Sequence, residues 1–267
     1  MFRTSFHTGF MVGYSASDAV RIIRDHGYDA VELNAETLPW AQAHIGPETS
    51  ASERGELAKL GPFAAISAHN SDFGLKDEAR RLAAVDWTLK LIEQAPDYGV
   101  STVHVIPGND AELESLYASL SAAVEAAEKH GVTLGLEPIV GQRIGTTSGT
   151  IDALKRVPGL RVNFDPSHLQ IMEHDIPGAI RTLGDHACHV HIKDAIGVPD
   201  KWAFVKLGAG DIDFVDMFRV LKEKSFNGYV SVEHESHYFS DDKRGVEQVL
   251  AESLAFIRAA EKQAEAG

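Results

Sequence analysis

From one end of the chain to the other, short β-branched or apolar runs alternate with longer amphipathic, Ala-rich stretches. No other feature of the sequence limits the available folds as much. Strands are expected at 5–9, 30–34, 65–70, 102–107, 133–137, 161–165, 189–193 and 229–233. Helices are expected between them, at 17–26, 51–60, 79–98, 112–130, 148–156, 177–183, 213–224 and 245–263. Ser15 or Ser17 and Asp213 suit helix N-caps, and Gly27, Gly99 and Gly131 fall where a C-terminal glycine belongs. Strands that alternate with helices build a parallel sheet, and eight such units close into a barrel. The 267 residues suit one such barrel, and no Pro/Gly/Ser linker divides them. The expectation is therefore an α/β fold, a single (β/α)8 TIM barrel spanning residues 1–267.

Parity along the strands says which side chains enter the barrel. In 133–137, Leu134 and Leu136 share one face and leave Glu137 on the other. In 161–165, Val162 and Phe164 oppose Asn163 and Asp165, and in 189–193, Val190 and Ile192 oppose His189, His191 and Lys193. In 229–235, Val230 and Val232 oppose Ser231, Glu233 and Glu235. Four consecutive strands thus turn aliphatic residues toward the helices and polar residues inward, and Glu32, His69 and His104 extend the pattern to earlier strands. An interior filled for packing alone would favour Val, Ile and Leu. Unpaired ionisable groups in such a place are costly, and a divalent cation is the natural compensator.

Glu137, Asp165, His191 and Glu233 give three carboxylates and one imidazole, one from each of strands five to eight. Successive separations of 28, 26 and 42 residues match one βα unit, another, and a third with an extended loop. All four should meet at the C-terminal mouth, where barrel enzymes carry their chemistry. An oxygen-rich set with one nitrogen suits Mn2+ first, with Mg2+ or Co2+ as alternatives, better than structural zinc.

At these positions the segments 134–138 (LGLEP), 163–168 (NFDPSH), 189–194 (HVHIKD) and 231–235 (SVEHE) resemble the xylose isomerase-like sugar isomerase/epimerase barrels. Segments 30–34, 67–70 and 207–214 extend the resemblance over essentially the whole chain. It implies that Glu137, Asp165, His191 and Glu233 hold the metal. By likeness to the ketose 3-epimerase branch, Glu137 and Glu233 are also the catalytic acid–base pair, and His168 contacts substrate. That branch carries an Arg six residues after the metal-binding His, whereas this chain has Gly197.

The reaction such a site suits is proton abstraction next to a carbonyl, through an enediolate. Epimerisation and isomerisation both follow from it, and loss of a β-leaving group would instead make a lyase or dehydratase acting on keto-sugars or keto-glycosides. His168, His69, Lys193 and Arg143 are the candidate substrate contacts, and Lys193 can equally balance the carboxylates. Glu32 and Glu235 face inward as candidates to orient a ligand, while His7, His104 and His189 read as packed, hydrogen-bonded histidines. Trp40, Trp202 and Phe204 lie in loops at the mouth, where aromatic faces suit a lid, packing beneath the loop or a subunit contact. The two glycines of LGAGD at 207–211 could offer amides to a phosphate, but no phosphate-binding signature accompanies them and an unphosphorylated sugar is expected.

A net charge of −14, from 25 Lys and Arg against 39 Asp and Glu, argues against nucleic acid or anionic membrane as a partner. The lone Cys188 cannot form an internal disulfide, and no long apolar run or leader pattern stands out, so a cytoplasmic enzyme is expected. A homo-oligomer is compatible with such a barrel.

Overall fold

The computed structural model describes residues 1–235 and 242–266. Among them, eight parallel strands form one sheet: β1 (Arg3–Phe6), β2 (Val31–Asn34), β3 (Phe63–Ser67), β4 (Thr102–Val105), β5 (Thr133–Leu136), β6 (Arg161–Phe164), β7 (Ala187–Ile192) and, after an inserted hairpin, β10 (Tyr229–Val232). Neighbours pair in order from β2 through β7 to β10 and then to β1. Between β1 and β2 the ladder is replaced by single contacts: the Ala30 amide donates to the Thr4 carbonyl (3.0 Å), and the Asn34 amide donates to Thr8 Oγ1 (2.9 Å). The result is the expected (β/α)8 barrel, closed but for this seam.

The helices lie where apolar stripes and caps put them: α1 (Ala16–Asp25), α2 (Ala51–Ala58), α3 (Glu78–Gln94), α4 (Leu113–Lys129), α5 (Thr147–Arg156), α6 (Pro166–Glu173), α7 (Ile176–Leu183), α8 (Phe214–Glu223) and α9 (Val246–Ala266). Ser15 rather than Ser17 caps α1 by accepting from the Asp18 amide, and Asp213 caps α8 in the same way. Gly27, Gly99 and Gly131 all have positive φ beyond helix ends, as expected of glycine there. The outward residues Leu134, Leu136, Val162, Phe164, Val190, Ile192, Val230 and Val232 are fully buried and join one continuous core with the helices. Tyr28 shows how tightly the layers are joined: its ring meets Phe6 edge-on at 5.5 Å, and its hydroxyl donates to the Leu250 carbonyl of α9 (2.9 Å).

Two elements differ from expectation. Residues 166–173, where no helix was expected, form α6, because Pro166 sits at its first position and Asp165 caps it. The long segment after β7 is not all loop: β8 (Asp194–Val198) and β9 (Lys201–Val205) form an antiparallel hairpin beside the mouth. Gly197 lies in it at φ +99°, and a Cβ there would sit 2.2 Å from the Lys201 carbonyl oxygen. The hairpin therefore requires glycine at this position, which is why no arginine stands six residues beyond His191.

Candidate active site

The polar residues expected to face inward do converge at the C-terminal end of the barrel. One oxygen or nitrogen each from Glu137, Asp165, His191 and Glu233 lie within 4.8 Å of one another. His191 Nδ1 is 3.5 Å from Glu137 Oε2, 3.5 Å from Glu233 Oε2 and 3.9 Å from Asp165 Oδ2. Each side chain arrives for a local reason. Glu137 immediately follows β5, and its Oε2 accepts from the Asn163 side-chain amide (2.7 Å) on β6. Asp165 caps α6 with one oxygen, as Oδ1 accepts from the amide and hydroxyl of Ser167 (2.7 Å each). That leaves Oδ2 turned inward. Glu137 Oε1 accepts no hydrogen bond although it is buried, and Asp165 Oδ2 has an ion pair with Lys193 Nζ at 3.0 Å. A buried carboxylate oxygen without a donor is unusual, and together with the other carboxylates and an imidazole it forms a donor set that fits a divalent cation.

Beneath this quartet lies a second one built around Glu32, which is fully buried. Glu32 Oε1 is 2.6 Å from His104 Nε2 and 3.0 Å from His191 Nε2, and Oε2 is 2.9 Å from His189 Nε2. A carboxylate can only accept, so all three imidazoles donate from Nε2. This turns His191 Nδ1 toward the upper quartet and leaves the His104 Nδ1 lone pair accepting from His69 Nε2 (3.0 Å). The histidines expected to be packed and hydrogen-bonded, His104 and His189, thus share one acceptor with the candidate ligand His191. Burial alone would raise the Glu32 carboxyl, but the imidazoles of His191 and His189 hold it well below its usual value. For His191, burial pushes the pKa down, and the carboxylates of Glu32, Glu137 and Glu233 override it and raise it well above normal.

Lys193 and His168 close one side. Lys193 Nζ is buried, 3.0 Å from Asp165 Oδ2, 2.5 Å from Glu233 Oε2 and 2.9 Å from Glu235 Oε2. Desolvation disfavours its charge, but Asp165, Glu233 and Glu235 raise its pKa well above normal, so it stays an ammonium. The Val140 amide donates to His168 Nδ1 (3.3 Å), which points Nε2 at Glu137 Oε1 and Asp165 Oδ2, 3.6 Å from each. Phe204, from β9, packs edge-on against the His168 ring at 5.2 Å and lies 4.3 Å from Lys193 Nζ. Trp202 packs against Phe204 with ring centroids 4.9 Å apart and the rings tilted by 47°. These aromatics, with Trp40, line a cavity of about 450 Å3 above the quartet.

His69 and Lys193 line that cavity and His168 does too, whereas Arg143 is exposed in a neighbouring hollow beside Asn109, Asp110 and Gln142. Glu36 was not singled out by the sequence. It follows β2 by two residues, lines the cavity, and lies with Oε2 3.8 Å from His69 Nδ1. The same inward parity that marks Glu32 also applies to it. Burial, with the negative charges of Glu233, Glu235 and Glu137 adding, lifts its pKa to about 7.

A family model described as a xylose isomerase-like TIM barrel matches residues 20–260. The chain belongs to that family. An uncharacterised protein of Methanocaldococcus jannaschii is 26% identical over 93% of this chain and 89% of its own length. A protein of Escherichia coli strain K12, provisionally named L-ribulose-5-phosphate 3-epimerase SgbU, is 27% identical over 78% of this chain and 79% of its own. Among solved structures, an L-ribulose 3-epimerase superposes with a TM-score of 0.77 at 22% identity, covering 99% of this chain and 96% of that one. Among the described residues, no helix is long and apolar enough to cross a membrane.

Proposed function

We propose that this member of the xylose isomerase-like family is a divalent-metal-dependent sugar epimerase or isomerase. The reading is carried by the meeting of Glu137, Asp165, His191 and Glu233 within 4.8 Å, below a cavity of about 450 Å3. That volume lies within the range of small-molecule sites. The names of the Escherichia coli relative and of the superposed structure, both 3-epimerases of ribulose sugars, support it. Glu137, Asp165, His191 and Glu233 would hold the cation, with Mn2+ favoured and Mg2+ or Co2+ able to serve. When bound, such an ion supplies Lewis-acid polarisation of a carbonyl oxygen.

Proton movement belongs to the chain's own groups. Burial pushes both Glu137 and Glu233 upward, but His191 beside the first and Lys193 with His191 beside the second hold both carboxyls well below normal. Both glutamates are therefore available as bases at neutral pH. They enter from β5 and from the end of β10, so each can address a different face of a sugar carbon. One removes the proton α to the carbonyl, and the other, after taking up a proton from solvent, delivers it to the opposite face, which inverts the carbon. A single glutamate shuttling the proton between adjacent carbons would give aldose–ketose isomerisation. His168 Nε2–H and His69 are placed to hydrogen-bond substrate hydroxyls, and Lys193 offsets the surplus negative charge of the three carboxylates.

The test is incubation of Mn2+-loaded protein in D2O with a panel of ketoses, aldoses and keto-glycosides. Deuterium at a carbon next to the carbonyl is expected, and its position in the product separates epimerisation, isomerisation and elimination. Glu233→Gln should retain the metal and abolish exchange. Substantial remaining exchange would remove Glu233 from the acid–base pair, and no exchange from any carbonyl sugar would overturn the reading.

A further inference from the structure

The cavity above the quartet has an unusual charge balance away from the reacting end. Glu36 and Glu235 also line it, and each side chain is about a fifth exposed, at 20% and 23%. Lys193 is the cation that lines it, and its ammonium is already enclosed by Asp165, Glu233 and Glu235. Arg143 lies in the adjoining hollow. Residues 236–241 lie outside the described residues, and their sequence, SHYFSD, contains neither Lys nor Arg.

The amide cluster of the LGAGD loop, which has the form of an anion site, is occupied by the protein itself. The amides of Gly208 and Gly210 both donate to Asp194 Oδ2 (2.9 Å each), and the Ala195 amide donates to Oδ1 (2.9 Å). A Cβ on Gly210 would lie 2.1 Å from Asp194 Oδ1, so glycine is needed at 210 for the carboxylate to seat. The glycines of LGAGD therefore hold a side chain in place of a phosphate. A phosphomonoester dianion entering the cavity would meet Glu36 and Glu235, with no uncommitted Lys or Arg among the described residues that line it.

From this arrangement we infer that the site selects an uncharged, polyhydroxylated carbonyl compound. Glu36 and Glu235 are its specificity-determining residues, accepting hydrogen bonds from hydroxyls at the non-reacting end and repelling a phosphate there. Above the Glu36 pKa of about 7, a carboxylate there gains a charge-assisted bond by accepting from a hydroxyl, whereas facing a phosphate it gains only repulsion. The aromatic faces of Trp40 and Trp202 suit the C–H surfaces of such a molecule. This inference rests on the sugar-epimerase reading for the identity of the reacting end.

The test uses Mn2+-loaded protein and two kinds of readout. Calorimetric titration with the unreactive polyols sorbitol and galactitol, and with sorbitol 6-phosphate, reports binding without turnover. The free polyols should bind about tenfold or more tighter than the phosphate, and the double variant Glu36→Gln, Glu235→Gln should close most of that gap. In parallel, deuterium uptake in D2O is compared for free ketoses and the same ketoses phosphorylated at their terminal hydroxyl, with free ketoses expected to exchange faster. Equal or tighter binding of the phosphate, or faster exchange of phosphorylated ketoses, would overturn the inference and leave the epimerase reading standing. An unchanged gap in the double variant would remove Glu36 and Glu235 from the role assigned to them. Polyol binding without exchange from any ketose would sink the epimerase reading while upholding the preference for a neutral ligand.

Discussion

At the scale of single residues, Glu32 decides how the site is presented. Its two oxygens take hydrogen bonds from three imidazoles, and in doing so fix the His191 ring with Nδ1 turned toward the quartet above. Groups behind a metal ligand that set its tautomer typically change metal affinity by about 10–100-fold when removed. Glu32→Gln should therefore weaken Mn2+ binding by about that much, as measured by the free-Mn2+ signal in electron paramagnetic resonance titrations, with little change in the barrel's circular dichroism. A variant that binds Mn2+ as tightly as wild type would show that Glu32 does not position His191. Inward parity made Glu32 visible in the sequence. Its link to His104 and His189 was not, because it depends on which strands face each other across the barrel. His234 makes a second prediction. Burial, then the charge of Arg244, lowers its pKa to about 4, so the folded protein holds it neutral down to that pH. The unfolded chain takes up a proton near pH 6.5, so stability is retained above that value and lost as the pH falls toward 4. In metal-free protein, His234→Gln should reduce the stability difference between pH 7 and pH 4.5 by about 2–3 kcal/mol, read from urea denaturation. An unchanged difference would contradict a buried neutral imidazole.

At the scale of elements, periodicity revealed the barrel because each strand alternates aliphatic and polar residues in the way a buried parallel strand requires. Strand and helix ends are displaced by a few residues, as at β1, which occupies Arg3–Phe6 where 5–9 was expected. Two elements were not legible. Pro166 resembles a turn signal, but a proline at the first helical position lacks only a hydrogen bond that position never makes, so α6 begins there and carries His168. The β8–β9 hairpin contains Gly197, Pro199 and charged residues, and its strandedness depends on pairing across the turn rather than on any one run. Asp194 anchors this hairpin by accepting the amides of Ala195, Gly208 and Gly210. Removing that acceptor leaves three amides without a partner. Asp194→Ala should accelerate amide hydrogen exchange across residues 194–210 and raise KM more than it lowers kcat, because Phe204 and Trp202 would lose their fixed place over His168 and Lys193. Protection equal to wild type would show that the hairpin is held by other contacts.

At the scale of the whole molecule, curling of the sheet into a barrel is what brings Glu32 of β2 against His189 and His191 of β7. Glu32 belongs to β2, and β2 meets β1 only along the seam. Asp29 reinforces that seam: its Oδ2 accepts from the Thr4 amide (2.8 Å) and hydroxyl (2.9 Å), and Arg258 of α9 binds the same oxygen (3.0 Å). Arg258 also donates to the Phe2 carbonyl (2.9 Å), so the C-terminal helix ties down the first strand. Asp29→Ala would leave the buried Thr4 amide without an acceptor and should cost about 1–2 kcal/mol in denaturant-unfolding stability. No measurable loss would mean that the ladder from β1 to β10 holds the seam unaided. The four groups above Glu32 come from four neighbouring strands, β5, β6, β7 and β10, and their grip on one cation is the claim on which the rest depends. The most direct measurement is equilibrium titration of the folded, metal-stripped chain with Mn2+. One tightly bound ion per chain, lost in Asp165→Asn and released by chelator with a fall in melting temperature, is the expected result. Absence of a tight site in wild type, or a site indifferent to Asp165→Asn, would contradict it.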